Sequence, residues 1–241
     1  MSNIKKNYIY SVLYQILASI VPLITSPYIA RTIGANGLGL YSYQYSIAHY
    51  FAIFIILGLM HYGCRAIATV KDDKESRTKV FWEIYFMQLI LGVIFVSLYM
   101  LFVVLFDQKN MLISILMVLY LVSVMVDITW MFYGLEEFKY TVIRNSVIKI
   151  LNVIFVFIFV KGPDDAWIYT AIMVAGYLLS QVFLWPRLVK YVGFHLPSFK
   201  DIFKHLKPNF MLFIPIIAIN VYKFLDKIML GAIESNEKEF S

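Results

Sequence analysis

The sequence predicts an all-α fold, a polytopic membrane helix bundle of about seven transmembrane helices. Three observations carry that expectation. Of 241 residues, 61% are hydrophobic and only 15% charged, against roughly half and a quarter in soluble domains. The apolar residues arrive in long uninterrupted blocks. Lys and Arg collect in alternate segments between those blocks, which is how a membrane chain records its orientation.

A spanning helix needs about 20 mainly apolar residues, because each rises about 1.5 Å across about 30 Å of hydrocarbon. Seven segments meet that demand, at roughly 7–30, 40–63, 80–106, 111–135, 142–160, 166–185 and 209–233. The first has the basic flank of a signal peptide in Lys5 and Lys6. Its apolar run from Asn7 to Ala30 is 24 residues long, against about 7–15 for a signal core, and no convincing small-residue cleavage site follows. It therefore reads as a retained helix. Interior Gly, Pro and Ser are tolerated in such spans, and Tyr8, Tyr10, Trp82, Trp167 and Trp185 suit span ends at an interface.

The tail, the 64–79 loop, the 136–144 turn and the 186–208 connection together hold fourteen Lys and Arg; the alternate set holds four, Arg31, Lys109, Lys161 and Lys238. By the positive-inside rule the first set is cytoplasmic, with the N-terminus inside and residue 241 outside after seven spans. A net charge of +6 with its cations in short loops gives no support to nucleic-acid binding.

The 23-residue connection is the natural domain boundary. It divides a lobe at 1–185 from a linker at 186–208 and a helix at 209–241. Within it Ser198 can cap a short helix with Asp201 three residues on. Phe199, Ile202, Phe203 and Leu206 recur at helical spacing while Lys200, Lys204 and Lys207 face elsewhere. That pattern suits a helix on an anionic leaflet, or else an ordinary solvated loop. A faint repeat pairs Val21-Pro22-Leu23-Ile24 with Ile214-Pro215-Ile216-Ile217. Were it real, span seven would open a second copy of the unit that span one begins.

Nothing in the chain resembles an enzyme. There is no Gly-rich phosphate loop, nucleophile elbow or His/Cys metal spacing, and Cys64 is the single cysteine, so no cofactor, metal or catalytic residue is expected. His49 and His61 stand twelve residues apart and read as ordinary helix residues. A glycan-modifying acyltransferase would need a His beside an acidic residue, which neither has.

The informative residues are polar groups inside apolar spans, which cost about 2.5–3.5 kcal/mol each on insertion scales and so seek a partner or a watery cavity. Asp127 lies in span four, and helical spacing would put Trp130 and Gly134 on its face. Its alternative role is a neutralised carboxyl at a helix contact. Thr141, Asn145, Lys149 and Asn152 form a stripe on span five, with Lys149 able instead to snorkel. Lys223, Asp226 and Lys227 share one face of span seven. Arg31 ends span one, as a site residue or as an interfacial charge complementing the helix dipole. Glu83, beside Trp82, reads as interfacial. Together they suggest a partly positive interior suited to a phosphate or pyrophosphate.

The run Pro27-Tyr28-Ile29-Ala30-Arg31-Thr32-Ile33-Gly34 with Gly37-Leu38-Gly39-Leu40-Tyr41 resembles the first-helix signature of Wzx-type polysaccharide flippases. These transporters belong to the multidrug/oligosaccharidyl-lipid/polysaccharide exporter superfamily. Asp127-x-x-Trp130-x-x-x-Gly134-x-Glu136-x-Phe138 is similar to that family's fourth helix. Arg144-Asn145 with Lys149-Ile150, and Tyr222-x-x-x-Asp226-Lys227-x-x-Leu230-Gly231, follow in the expected order. The resemblance implies two six-helix lobes in a V, with alternating access, in the bacterial inner membrane. It implies flipping of an undecaprenyl-pyrophosphate-linked oligosaccharide for O-antigen, capsule or exopolysaccharide, alongside a polysaccharide polymerase and a chain-length regulator. Substrate would meet Arg31, Asp127, Trp130, Asn145, Lys149, Lys223, Asp226 and Lys227. Such transporters have twelve or fourteen helices, so a chain stopping after the seventh is expected to be a first lobe plus one helix of the second, unable to flip alone. The competing readings are a multidrug exporter of the same superfamily and a non-transporting membrane assembly subunit.

Overall fold

Inside hydrocarbon no water can bond a peptide group, so each apolar run has to satisfy its backbone internally and folds as helix. The structure, a computed structural model, describes residues 3–215 and 217, with side chains from Val12 onward except at position 13. Helices α1 (Asn3–Thr32), α2 (Gly34–Ile56), α3 (Leu59–Thr69), α4 (Lys74–Phe106) and α5 (Met111–Met125) come first. Then follow α6 (Thr129–Gly134), α7 (Phe138–Phe159), α8 (Ala166–Val182), α9 (Trp185–Tyr191) and α10 (Phe199–Phe203). A further helix, α11, starts at 206 and runs through 215.

Among the described residues five stretches are long and apolar enough to cross a membrane: Gly34–Thr69, Lys74–Phe106, Gln108–Gly134, Phe138–Phe159 and Pro163–Tyr191. With α1, which has 30 residues, they form a polytopic all-helical bundle. Leu98, Leu101, Leu105, Ile154 and Ile158 stand exposed along α4 and α7, as lipid-facing side chains do. Most of the seventh predicted span lies outside the described residues.

Three spans are broken. The α2–α3 joint falls at Leu57 and Gly58, with Leu57 held at φ 44°, a conformation a non-glycine residue adopts only under constraint from its surroundings. The α5–α6 joint covers Val126 to Ile128, and the α8–α9 joint Phe183 and Leu184. Among the described residues these joints lie between the two larger apolar cores, and a smaller cluster of Ile53, Leu57 and Phe213 sits at the α2–α3 joint itself. One larger core gathers Tyr41, Tyr99, Met117, Tyr120, Leu121 and Val156 between α2, α4, α5, α7 and α8. The other gathers Ile67, Phe81, Ile84, Trp130, Phe132 and Leu188 under α3, α6 and α9. The second core lies at the end where the Lys- and Arg-rich loops run, here called the basic end.

A broken span frees carbonyls that need donors. At the α5–α6 joint the buried Gln88 amide of α4 donates to Val124 O (2.8 Å) and Asp127 O (3.0 Å). The Trp185 indole N–H donates to Val126 O at 3.1 Å. Asp127 accepts the Thr129 N–H at 2.7 Å, closing the turn into α6, and Trp130 Nε1 donates back to Gln88 Oε1 at 3.2 Å. At Gly63 a Cβ would come within 2.7 Å of the Trp130 ring, so α3 and α6 meet only because that position is glycine.

At the basic end Asp73 caps α4, accepting from Glu75 N and Ser76 N at 3.0 and 3.3 Å. Hydrogen bonding with Ser76 and Glu75 holds its carboxyl below the usual range. The linker is sewn to the first turns of α4. Gly193 N–H donates to Thr78 Oγ1, Trp82 Nε1 donates to Gly193 O at 2.7 Å, and Arg77 donates to Tyr191 O.

Two expectations are corrected here. The apolar stripe 199–206 does not share one face: α10 ends at Phe203, a turn covers 204 and 205, and only Ile202 is buried while Phe199 and Phe203 stay exposed. Ser198 does cap α10, accepting from Asp201 N–H at 3.3 Å. Nor is Glu83 interfacial; it is 0% exposed. The turn at 204–205 explains both, because it carries two side chains onto that carboxylate. Lys204 Nζ and His205 Nε2 each lie 2.9 Å from Glu83 Oε2.

Candidate functional site

Helix α7 supplies the site's cations. It starts at Phe138, so Arg144 belongs to its second turn rather than to the loop that the charge count assigned it. Spacing of four and three then aligns Asn145, Lys149 and Asn152 on one face. They line a cavity of about 360 Å³ with Asp127 and Thr129 from the α5–α6 joint and Ser180 and Gln181 from α8. Thr141, the fourth member of the stripe, is buried and donates to Phe138 O instead.

Arg144 is held by neutral acceptors. Its Nε and Nη2 donate to Asn145 Oδ1 at 3.0 and 2.8 Å, and its Nη1 donates to Gln181 Oε1 at 3.2 Å. These bonds fix the guanidinium without neutralising it. Asp127 is the carboxylate that acts on it electrostatically. One Asp127 oxygen is committed to Thr129 N–H. With Lys149 included, the described residues give the cavity two cations and one anion.

Lys149 depends on a proline. Pro22 of α1 has no N–H, so the Ala18 carbonyl four residues earlier loses its helical donor. The Lys149 ammonium reaches that carbonyl at 3.5 Å, the long limit of hydrogen bonding, and sits 5.9 Å from the Tyr14 ring centroid. It therefore bridges α1 and α7 at the cavity wall. Glycine at 176 lets Asn152 lie directly on the α8 backbone; a Cβ there would fall onto its carboxamide.

The structure therefore brings together Asp127, Asn145 and Lys149 of the expected residues and parts them from Arg31 and Trp130. Asp127, Trp130 and Gly134 do not share a helical face, because the helix ends at Met125 and restarts at Thr129. Trp130 is 0% exposed and belongs to the core beneath α3. Arg31 is exposed in the last turn of α1. Lys223, Asp226 and Lys227 lie outside the described residues. The sequence reading missed Thr129, Gln181 and the cavity role of Arg144; the last was within reach, since Arg144 and Asn145 precede Lys149 at helical spacing. It also missed a tyrosine cluster beside the cavity. Tyr45 stacks at 5.9 Å on Tyr41 and at 6.3 Å on Tyr177, which lines the cavity.

A membrane-embedded chamber with two fixed cations and amide groups can hold an anionic, polar ligand. No solved structure matches the chain. Two proteins named "Putative O-antigen transporter" are similar to it. The one from Escherichia coli K12 is 26% identical over 96% of this chain, and the one from Shigella dysenteriae 27% identical over 94%. The alignments cover 57% and 58% of those proteins, so the chain spans little more than half the length of these relatives. The family model described as "Polysaccharide biosynthesis protein" matches residues 4–238, and the chain belongs to that family.

Proposed function

We propose that this chain forms the first lobe of a flippase for oligosaccharide repeat units linked to undecaprenyl pyrophosphate, working in surface polysaccharide synthesis. In this reading the basic end is cytoplasmic, the membrane is the bacterial inner membrane, and the linker 186–208 leads from one lobe to the next. One observation carries the proposal: Arg144 and Lys149 converge with Asn145, Asn152 and Gln181 on one cavity beside the α5–α6 break, which supplies Asp127. Broken spans mark ligand sites in transporters, since irregular backbone is tolerated at membrane depth where it lines a cavity. Arg144 suits pyrophosphate oxygens through its planar fork, and Lys149 as a point charge. A cationic drug suits the cavity less, because the two cations outnumber Asp127.

The test is complementation of a flippase-deficient strain by a two-lobed chain carrying this sequence. Lys149→Ala should abolish surface polysaccharide, while Lys149→Arg keeps part of it. Full activity of Lys149→Ala at normal membrane abundance would defeat the proposal.

A further inference from the structure

A second cavity adjoins the first. It has a volume of about 240 Å³ and shares Lys149, Asn152 and Met173 with the polar chamber. Its other walls differ in chemistry. Val21 and Ile29 come from α1, Val153 and Val156 from α7, and Tyr169 from α8. Pro22 and Ser26 at its rim are exposed, so the cavity opens at the α1 surface, where Leu23 and Ile24 are lipid-facing.

The two chambers stand on either side of one ammonium. Along α7 the order runs Arg144, Asn145, Lys149, Asn152, Val153, Val156, polar toward the basic end and apolar beyond it. A ligand filling both must be anionic where it meets Lys149, polar on the Arg144 side and hydrocarbon on the Val153 side. We infer that the apolar chamber receives the first isoprenoid units of a polyprenyl pyrophosphate whose phosphates sit at Lys149 and Arg144. This rests on the anion site proposed above and adds to it. The lipid chain enters the protein between α1 and α7 rather than remaining wholly in the bilayer, and Val21, Val153 and Met173 set the preference for it.

The ammonium's own position supports this. Lys149 is kept at the boundary by the carbonyl that Pro22 frees, so its charge lies at the polar end of an apolar slot instead of reaching out along the membrane normal. Valine, isoleucine and methionine walls suit a branched hydrocarbon. They leave a free pyrophosphate or a nucleotide sugar with nothing to fill the slot, and a bare anion forgoes the apolar burial that favours the lipid.

The experiment uses the 241-residue chain in nanodiscs, with inorganic pyrophosphate and farnesyl pyrophosphate as probes. Farnesyl pyrophosphate should bind at least about tenfold more tightly, because the packing of its first isoprenoid units in the slot adds to the contacts its phosphates make. Val153→Trp, which fills the slot, should remove most of that preference and leave inorganic pyrophosphate binding within about twofold. Val21→Trp, on the opposite wall, should do the same, so the result does not hang on one variant's folding, and retained pyrophosphate binding reports an intact site. Because wild type and variants share the same nanodiscs, partitioning of the lipid into the bilayer cancels. A farnesyl preference unchanged in both variants overturns the inference while leaving the anion site standing. Pyrophosphate binding absent from the wild type, or unaffected by Lys149→Ala, overturns the anion site and the inference with it.

Discussion

The two ends of the bundle hold a carboxylate, half-buried at one end and fully buried at the other, by opposite means. Away from the basic end, Asp107 follows α4 and accepts from neutral donors, Gln44 Nε2 at 2.5 Å and Ser114 Oγ at 2.6 Å, with Asn110 Nδ2 at 3.4 Å. At the basic end Glu83 takes a lysine and a histidine on a single oxygen, while its Oε1 has no hydrogen-bond partner among the described residues. Asp107, in the short loop between α4 and α5, is tied to α5 through Ser114 and to α2 through Gln44, 63 residues earlier. Glu83 joins α4 to a segment more than a hundred residues later in the chain. A neutral set of donors makes a lasting seam between neighbours. A charged set, half of it contributed by a half-exposed Lys204, makes a joint whose strength depends on solution conditions.

The cores follow the same division. The one around Tyr99 and Met117 lies between uninterrupted helices, and its spans are readable because hydropathy alone defines them. The one around Trp130 lies under short helices whose joints depend on side chains from elsewhere. Its largest expected weakness is therefore Gln88. Gln88→Leu removes the donor to the Asp127 carbonyl and the acceptor of Trp130, each unsatisfied group costing about 1–3 kcal/mol, while Val124 O keeps the Asp127 N–H at 3.3 Å. The variant should lose several kcal/mol, seen as a large drop in the midpoint of thermal unfolding in detergent. Leu98→Ala, on the lipid-facing side of the same helix, should cost under about 1 kcal/mol. Equal losses would mean that the joint is not held by this amide.

How much of this was legible depends on where each partner lies. The spans and their order were, because 20-residue apolar runs are local. The joint in span four was not: Gln88 and Trp185 bond it from 36 and 59 residues away, and no periodicity records such a contact. Asp127 was legible as costly at membrane depth, but helical spacing wrongly tied it to Trp130, since the helix stops between them. Pro22 was visible inside span one, while the carbonyl it frees found its cation 131 residues on. Glu83 beside Trp82 had the signature of an interface. Only the folded linker, with His205 122 residues later, buries it.

A middle-sized effect tests the charged joint directly. Lys204→Ala leaves the Glu83 carboxylate with His205 alone. A charge-assisted bond contributes about 1.5–3 kcal/mol, and the half-exposed ammonium places this one at or below the lower figure. Combining Lys204→Ala with Glu83→Gln in a double-mutant cycle should return a coupling of at least about 0.5 kcal/mol. Zero coupling, read from thermal unfolding, would reduce the pair to a coincidence of two neighbouring side chains.

The smallest effect belongs to His205 and concerns pH. Its Nε2 faces Glu83 Oε2, its Nδ1 lies 2.5 Å from the Tyr62 hydroxyl, and Lys204 and Asp201 are the other charges acting on it. With Tyr62 donating to Nδ1 and Nε2–H donating to Glu83, the neutral ring satisfies both contacts. Protonation would turn Nδ1 into a second donor facing a hydroxyl that is already donating. Burial lowers the pKa of the ring, Lys204 acts in the same direction, and Glu83 opposes both. A docked histidine thus binds protons less readily than an undocked one, whose pKa is about 6.5. The undocked linker gains protons first as pH falls below that value, so docking is at full strength above it and weakens toward pH 5. The loss stays small because the Glu83 side chain opposes the lowering. Hydrogen exchange at residues 198–209, corrected for intrinsic rates, should speed up between pH 7.5 and 5.5. In His205→Gln, whose amide can still donate to Glu83 and accept from Tyr62, the acceleration should disappear while docking at pH 7.5 persists. The same acceleration in that variant would assign the pH response to another group and leave His205 a purely structural contact.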